Sequence, residues 1–179
     1  MSAARGPQGG IRVAANRLPA QRDERAPRVR TLVVFRIDTQ RCALELEGVE
    51  RVLPMVLVSP LPGAPDVVAG VVSLHGLLLP VLDLGGRFGL APRAWDPSGR
   101  LLVARAPRRL VAVAVDEVLG VEPVDVGDVA PPPLQGPSGS PLEGIWTLPD
   151  GLVFIFDLAS LLGLDEEQTL DAALEAVEP

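Results

Sequence analysis

The strongest constraint on this chain is that part of it occurs twice. The block Asp83-Leu84-x-x-x-x-Gly89-Leu90 returns as Asp157-Leu158-x-x-x-x-Gly163-Leu164. A second pair of segments matches without gaps: Ala43–Val52, ALELEGVERV, lies on Ala112–Val121, AVAVDEVLGV. That alignment sets Val49 opposite Val118 and Val52 opposite Val121. Two repeats in the same order predict two similar half-domains, each made of strands with a short closing helix. The stretch Ala69–Leu90 shows the unit most fully. Two apolar runs of strand length, Gly70–Leu74 and Leu77–Leu82, are divided by His75 and Gly76. Asp83 suits an N-cap, because its carboxylate can accept from the free N–H groups of a first turn. Leu84–Phe88 then reads as a short helical piece, and Gly89 suits the left-handed position that ends one.

Other short runs surround this unit. Thr31–Ile37 and Arg41–Leu46 read as a hairpin turning through Asp38-Thr39-Gln40, with Cys42, Leu44 and Leu46 on one face. Val49–Leu53 reads as a turn of helix, Met55–Val58 as a short strand, and Pro65–Val68 as a short helix opened by proline. Leu101–Arg105 with Leu110–Val115, and Ile145–Leu148 with Leu152–Phe156, read as two more hairpins. Glu122–Val126 reads as one further strand, Pro131–Pro141 as a surface loop, and Leu158–Leu162 as a closing helical piece. Asp165–Val177 reads as a terminal helix with Leu170, Leu174 and Val177 on one stripe and acids at its N-terminus. Ten or so short strands without long helices between them predict small antiparallel barrels, since parallel strands need long crossovers.

Composition narrows the function. The apolar fraction is 47% and the aromatic fraction 3%, so the core must be Val, Leu, Ile and Ala. All sixteen basic residues are Arg. Seven of them lie in Met1–Arg30, a Pro-, Gly- and Ala-rich arm without periodicity that reads as disordered. The remainder carries nine Arg against twenty-one acids, near −12. A body so acidic repels nucleic-acid phosphates. No apolar run reaches the ~20 residues of a membrane span, and no secretory signal is visible. The expectation is a cytoplasmic protein that binds no nucleic acid and inserts in no membrane. Cys42 is the single cysteine, so no internal disulfide can form.

Reactive constellations are sparse. Ser73, His75 and Asp83 are the one set that could imitate a hydrolase triad. Ser73 and His75 are two apart on one strand and share a face, yet the serine is on no strand-to-helix elbow. An esterase-like enzyme using Ser73 and His75 is the remote alternative. One His and one Cys cannot make a transition-metal shell without a carboxylate cluster, and no phosphate loop occurs. The residues call for no cofactor, no metal and no catalysis. A binding module is the default.

At GVVSLHGLLLPVLDLGGRFGL, Gly70–Leu90, the chain resembles the CheW family of chemotaxis adaptors. Supporting pieces are FRID and ALELEGVERV within Phe35–Val52, LPGAP at Leu61–Pro65, VAVAVDEVLGV at Val111–Val121 and FIFDLASLL at Phe154–Leu162. The resemblance runs in consistent order from about Thr31 to Leu164. It implies a mainly β fold of two small five-stranded antiparallel SH3-like barrels side by side, with short helices and a C-terminal helix. The organisation is then an arm at 1–30, the twin-barrel domain at 31–164, and a helix and tail at 165–179. It also implies a non-enzymatic adaptor that links the cytoplasmic tips of chemoreceptors to the regulatory domain of a CheA-type histidine kinase. The groove between barrels would take the receptor's helical hairpin through apolar anchors. Positions matching receptor-facing residues are Val49, Arg51, Gly70, His75, Ala112, Val118 and Val121, with Ser73 beside them.

Three positions depart from the family pattern. Ser73 stands for its usual Asn, His75 for its usual Arg, and Arg51 for a common acid. An Arg fork binds a carboxylate through two hydrogen bonds at any pH, whereas a neutral His offers one donor. The reversed charge at 51 favours a different partner surface. The alternative reading is therefore an accessory adaptor that binds receptor or kinase, but not both, and tunes or insulates a pathway.

Overall fold

The computed structural model describes residues 28–132 and 141–178. Most of the Arg-rich arm and of the proline-rich loop lie outside them. Eleven strands follow in order: β1 Val29–Ile37, β2 Gln40–Glu45, β3 Val49–Pro54, β4 Val68–Leu74, β5 Leu77–Leu82, β6 Arg100–Arg105, β7 Leu110–Val115, β8 Glu117–Asp125, β9 Val129–Ala130, β10 Leu142–Leu148 and β11 Gly151–Phe156. A single α-helix among the described residues, α1, spans Leu164–Glu175. The strands make two sheets, ordered β8-β1-β2-β11-β10-β9 and β3-β6-β7-β5-β4.

Each sheet closes on itself by the same device. In the first, β8 lines one edge, and the chain passes through the 3-10 turn Val126–Asp128 directly into β9 at the other edge. Counted as one bent strand, β8–β9 makes this barrel five-stranded. In the second, β3 lines one edge, and the chain runs on to Ser59, which bridges Val71 on β4 at the other edge. Each barrel is antiparallel except for one pairing: β11 with β2, and β5 with β7.

The repeat has an unexpected relation to the barrels. Each repeat is a hairpin followed by strands, a bulge and a closing turn. The hairpin β1–β2 pairs with strands of the second repeat, β8–β11, whereas β6–β7 pairs with strands of the first, β3–β5. The half-domains are therefore not contiguous: each barrel takes a hairpin from one repeat and the following strands from the other. The bulges repeat too. Register slips between Val49 and Arg51 and, on the partner edge, between Val118 and Gly120 opposite Val34–Phe35. It slips again between Val68 and Gly70 and between Leu142 and Gly144. The closing turns match as well. Asp83 accepts from the Gly85 N–H at 2.8 Å, and Asp157 from the Ala159 N–H at 3.0 Å. Gly89 is left-handed at φ 73°, as its place after a helical turn requires.

Strand alternation sorts the apolar residues into three cores. Val72, Leu79, Val81, Leu101, Val103, Ala112 and Ala114 fill the second barrel. Leu32, Val34, Ala43, Val124, Val153 and Ile155 fill the first. The opposite faces of both hairpins, including Val33, Phe35, Cys42, Leu44, Leu102, Ala104, Val111 and Val113, meet in a core shared between the barrels. Leu170 and Ala173 of α1 join that shared core. The helix is tied down by polar contacts: Arg87 donates to Glu166, and Arg109 pairs with Glu167 at 3.3 Å and with Asp171. Glu166 also accepts from the Gly163 N–H at 2.8 Å, satisfying one free donor of the first turn.

Several local expectations change. Val49–Leu53 is strand, not helix; the turn precedes it, as a 3-10 turn at Leu46–Gly48. Met55–Val58 is in no strand, and Pro65–Val68 is a turn that enters β4. β8 begins at Glu117, so the strand expected at Glu122 is the end of a longer one. The buried stripe of α1 is Glu167, Leu170 and Ala173, while Val177 is 43% exposed. Glu167 is buried because Arg109, at the tip of the β6–β7 hairpin, meets it there.

Candidate functional site

The eight residues singled out from the sequence fall into three places. The first holds the valines. Val49 pairs with Ala104 and Val118 with Phe35, both partners belonging to the shared core. Val49 and Val118 are half-buried against that core. Val121, opposite Val33, is on the same face but 52% exposed. Its repeat mate Val52, opposite Leu102, is 44% exposed. Four valines, two from β3 and two from β8, thus frame the margin of the core between the barrels. Val52 was missing from the set read off the sequence, although the ungapped repeat had already laid it on Val121.

The second place is one row across the second barrel. Gly70 pairs with Val81, Val81 with Ala112, Ala112 with Val103, and Val103 with Arg51. Ala112 is fully buried in the core of that barrel, so its side chain offers no contact to a partner. Gly70 has φ 153°, and a Cβ there would lie 2.2 Å from the Ser59 carbonyl oxygen. No side chain fits. Its counterpart Gly144 is crowded in the same way, by the Val129 side chain and the Ala130 carbonyl oxygen. Both glycines let the closing segment of their barrel lie across the strand beneath. Arg51 is exposed and forms no ion pair with any carboxylate among the described residues. It shares the face of Leu53, which packs in the second barrel, and points away from Val52.

The third place is the β4–β5 tip. Leu74 pairs with Leu77, which leaves His75-Gly76 as a two-residue loop with φ 51° and 83°. Two positive φ values mark the mirror-image turn that suits a twisted hairpin. His75 is exposed in this turn and no longer alternates with Ser73 on the strand. No hydrogen bond joins them among the described residues, and the Asp83 carboxylate is engaged by the Gly85 N–H. The Ser73–His75–Asp83 grouping is not assembled.

Electrostatics around these places is mostly settled within the chain. The Asp116 carboxylate accepts from Arg93 at 2.8 Å and from the Asp38 N–H. Arg93 in turn stacks over Trp95, 4.7 Å from the ring centroid. The Arg41 guanidinium beside Asp150 holds that carboxyl below its ordinary range. Arg51, like Arg28 and Arg100, is exposed and has no carboxylate partner among the described residues. No helix among the described residues is long and apolar enough to cross a membrane.

Comparison with known proteins places this geometry. The model of the CheW-like domain family matches residues 31–166. The chain is 32% identical to the chemotaxis protein CheW of Rhizobium meliloti over 106 residues, 58% of this chain and 67% of that protein. It is 36% identical to protein FrzA of Myxococcus xanthus over 102 residues, 57% of this chain and 64% of that one. It is 28% identical to a probable CheW of Rhizobium etli over 78% of this chain and 91% of that protein. The solved structure of the scaffolding protein TtCheW from Thermoanaerobacter tengcongensis superposes with a TM-score of 0.68 at 27% identity, covering 78% of this chain and 95% of that one.

Proposed function

The chain belongs to the CheW-like domain family, a family of non-enzymatic chemotaxis scaffolds, and from that premise we propose that it links chemoreceptor tips to a CheA-type histidine kinase. The observation that carries this reading is the valine margin. Val52 and Val121 are exposed apolar residues on the face of the shared core, and Val49 and Val118 lie beside them. An amphipathic helical hairpin needs such anchors at the centre of its groove. The repeat supplies two equivalent walls, which suits a two-helix ligand. Arg51 and His75 are on other faces and are available to a second partner, the kinase regulatory domain. An adaptor needs two surfaces that can be filled together.

The test is a pair of substitutions read in two assays. Val52→Glu combined with Val121→Glu is expected to weaken binding of a receptor-tip fragment at least tenfold by calorimetry. Binding of the kinase regulatory domain should be retained. The melting temperature should move by no more than about 2 °C, because exposed substitutions usually stay within about 0.5 kcal/mol. Val118→Glu, by contrast, puts a charge against the shared core and lowers stability. Unchanged receptor binding in the double variant would remove the valine margin from the site.

Arg51 favours a second reading, an accessory adaptor with one retained contact. Kinase stimulation measured with receptor, kinase and this chain together separates the two. A linking adaptor raises kinase activity, and a single-contact accessory leaves it unchanged.

A further inference from the structure

Beyond the end of β3 the second barrel carries the segment Met55–Val58, whose ends pack against the barrel core and whose Val56 and Leu57 no described residue covers. Ser59 bridges Val71, just as Ala130 pairs with Ile145 in the first barrel. Counting back from these equivalent residues sets Met55-Val56-Leu57 against Val126-Gly127-Asp128. In the first barrel those three residues are a 3-10 turn, and the Asp125 carboxylate accepts from the Gly127 N–H at 2.8 Å. In the second, Pro54 replaces the capping Asp and no turn forms. Val56 is 52% exposed and Leu57 is 90% exposed. A position that is Gly-Asp in one barrel and Val-Leu in the other is not apolar because the fold demands it.

The backbone of the same segment is unsatisfied. Met55 donates to the Gly99 carbonyl and Ser59 exchanges two bonds with Val71. Between them, the N–H and C=O groups of Val56, Leu57 and Val58 have no partner among the described residues. Beside them opens a cleft of about 1260 Å³, whose near wall is Met55, Leu57 and Val58 with Trp95, and which also carries charged side chains, among them Arg87 and Glu166.

We propose that Val56–Val58 and this cleft dock an extended apolar segment of a different polypeptide, which adds to the second barrel as a strand. The free backbone groups select the occupant. A strand offers matching N–H and C=O groups and alternate side chains for the cleft, whereas a helix keeps its interior backbone groups for itself. A second copy of this chain is disfavoured. Two chains, each with a net charge of −7, repel. The surface is separate from the four valines and does not depend on the reading given to them.

The probe is a displayed library of random heptapeptides selected on the full chain. The expected peptides alternate apolar and polar residues. Leu57→Asp and Leu57→Ser, both at a site open enough to leave the melting temperature unchanged, should each weaken the best peptide at least tenfold. N-methylation of alternate peptide nitrogens should do the same, since it removes donors and keeps side chains. Hydrogen exchange at the Val56–Val58 amides should slow at least tenfold when the peptide binds. Failure to select any peptide, apolar spacing of three and four residues, or full binding by both Leu57 variants would overturn the proposal. So would a dimer in sedimentation that Leu57→Asp abolishes, which would assign the surface to a second copy.

Discussion

Cys42 shows how far a single side chain reports the architecture. It is fully buried on the face of β2 that enters the shared core. Burial pushes its thiol up to about 12, because the apolar surroundings disfavour the thiolate. An unfolded thiol titrates near 8.5. The folded state therefore holds its proton more tightly, and the resulting stability is complete below about pH 8.5 and is lost as pH rises toward 12. Denaturant titrations at pH 7 and pH 10 should show a drop that Cys42→Ala makes smaller, although that variant is weaker at both pH values because of the cavity it leaves. Alkylating reagents at pH 8 should modify Cys42 only once the chain unfolds. Gly70 and His75 make the complementary point. Both were read as partner contacts, yet each is also set by backbone geometry: Gly70 by the Ser59 carbonyl against it and His75 by its left-handed turn. Histidine tolerates that conformation better than most residues.

The closing turns are the clearest test among the elements. Asp83 and Asp157 cap equivalent 3-10 turns, and Asp157 also accepts from the Ser160 hydroxyl at 2.8 Å. Asp83→Ala and Asp157→Ala should each cost about 1 kcal/mol by denaturant midpoint. These caps were legible because side-chain chemistry and spacing alone define them. β3 was not legible, for a reason the register explains. The bulge at Glu50 shifts the phase of the strand, so that Val49 and Val52 share a face three residues apart. Apolar spacing of three imitates a helix. The same bulge in β8 gives Val118 and Val121 the same spacing. The phase shift that hid the strand also brings the four valines onto one face. Met55–Val58 failed in the opposite sense: its residues are strand formers, but no strand among the described residues pairs with them.

At the scale of the whole molecule, the repeat told which segments are alike and could not tell which ones pair. Contiguous barrels and exchanged hairpins satisfy the same apolar pattern, since β1, β2, β6 and β7 are buried on both faces either way. The exchange decides the folding unit. Neither repeat contains a complete barrel: the first lacks β6–β7 and the second lacks β1–β2. It also builds the shared core, whose residues come from both hairpins and from α1. A cut after Ala91, in the connection between the closing turn of the first repeat and β6, therefore separates two pieces that are each incomplete. Expressed alone, each piece should lack dispersed amide resonances and a cooperative melt, because its unpaired strand edges and open cores face water. Mixed in equal amounts, the two should recover the spectrum of the intact chain, with a midpoint that rises with concentration as association requires. Two contiguous barrels would instead give two pieces that fold independently and do not change on mixing.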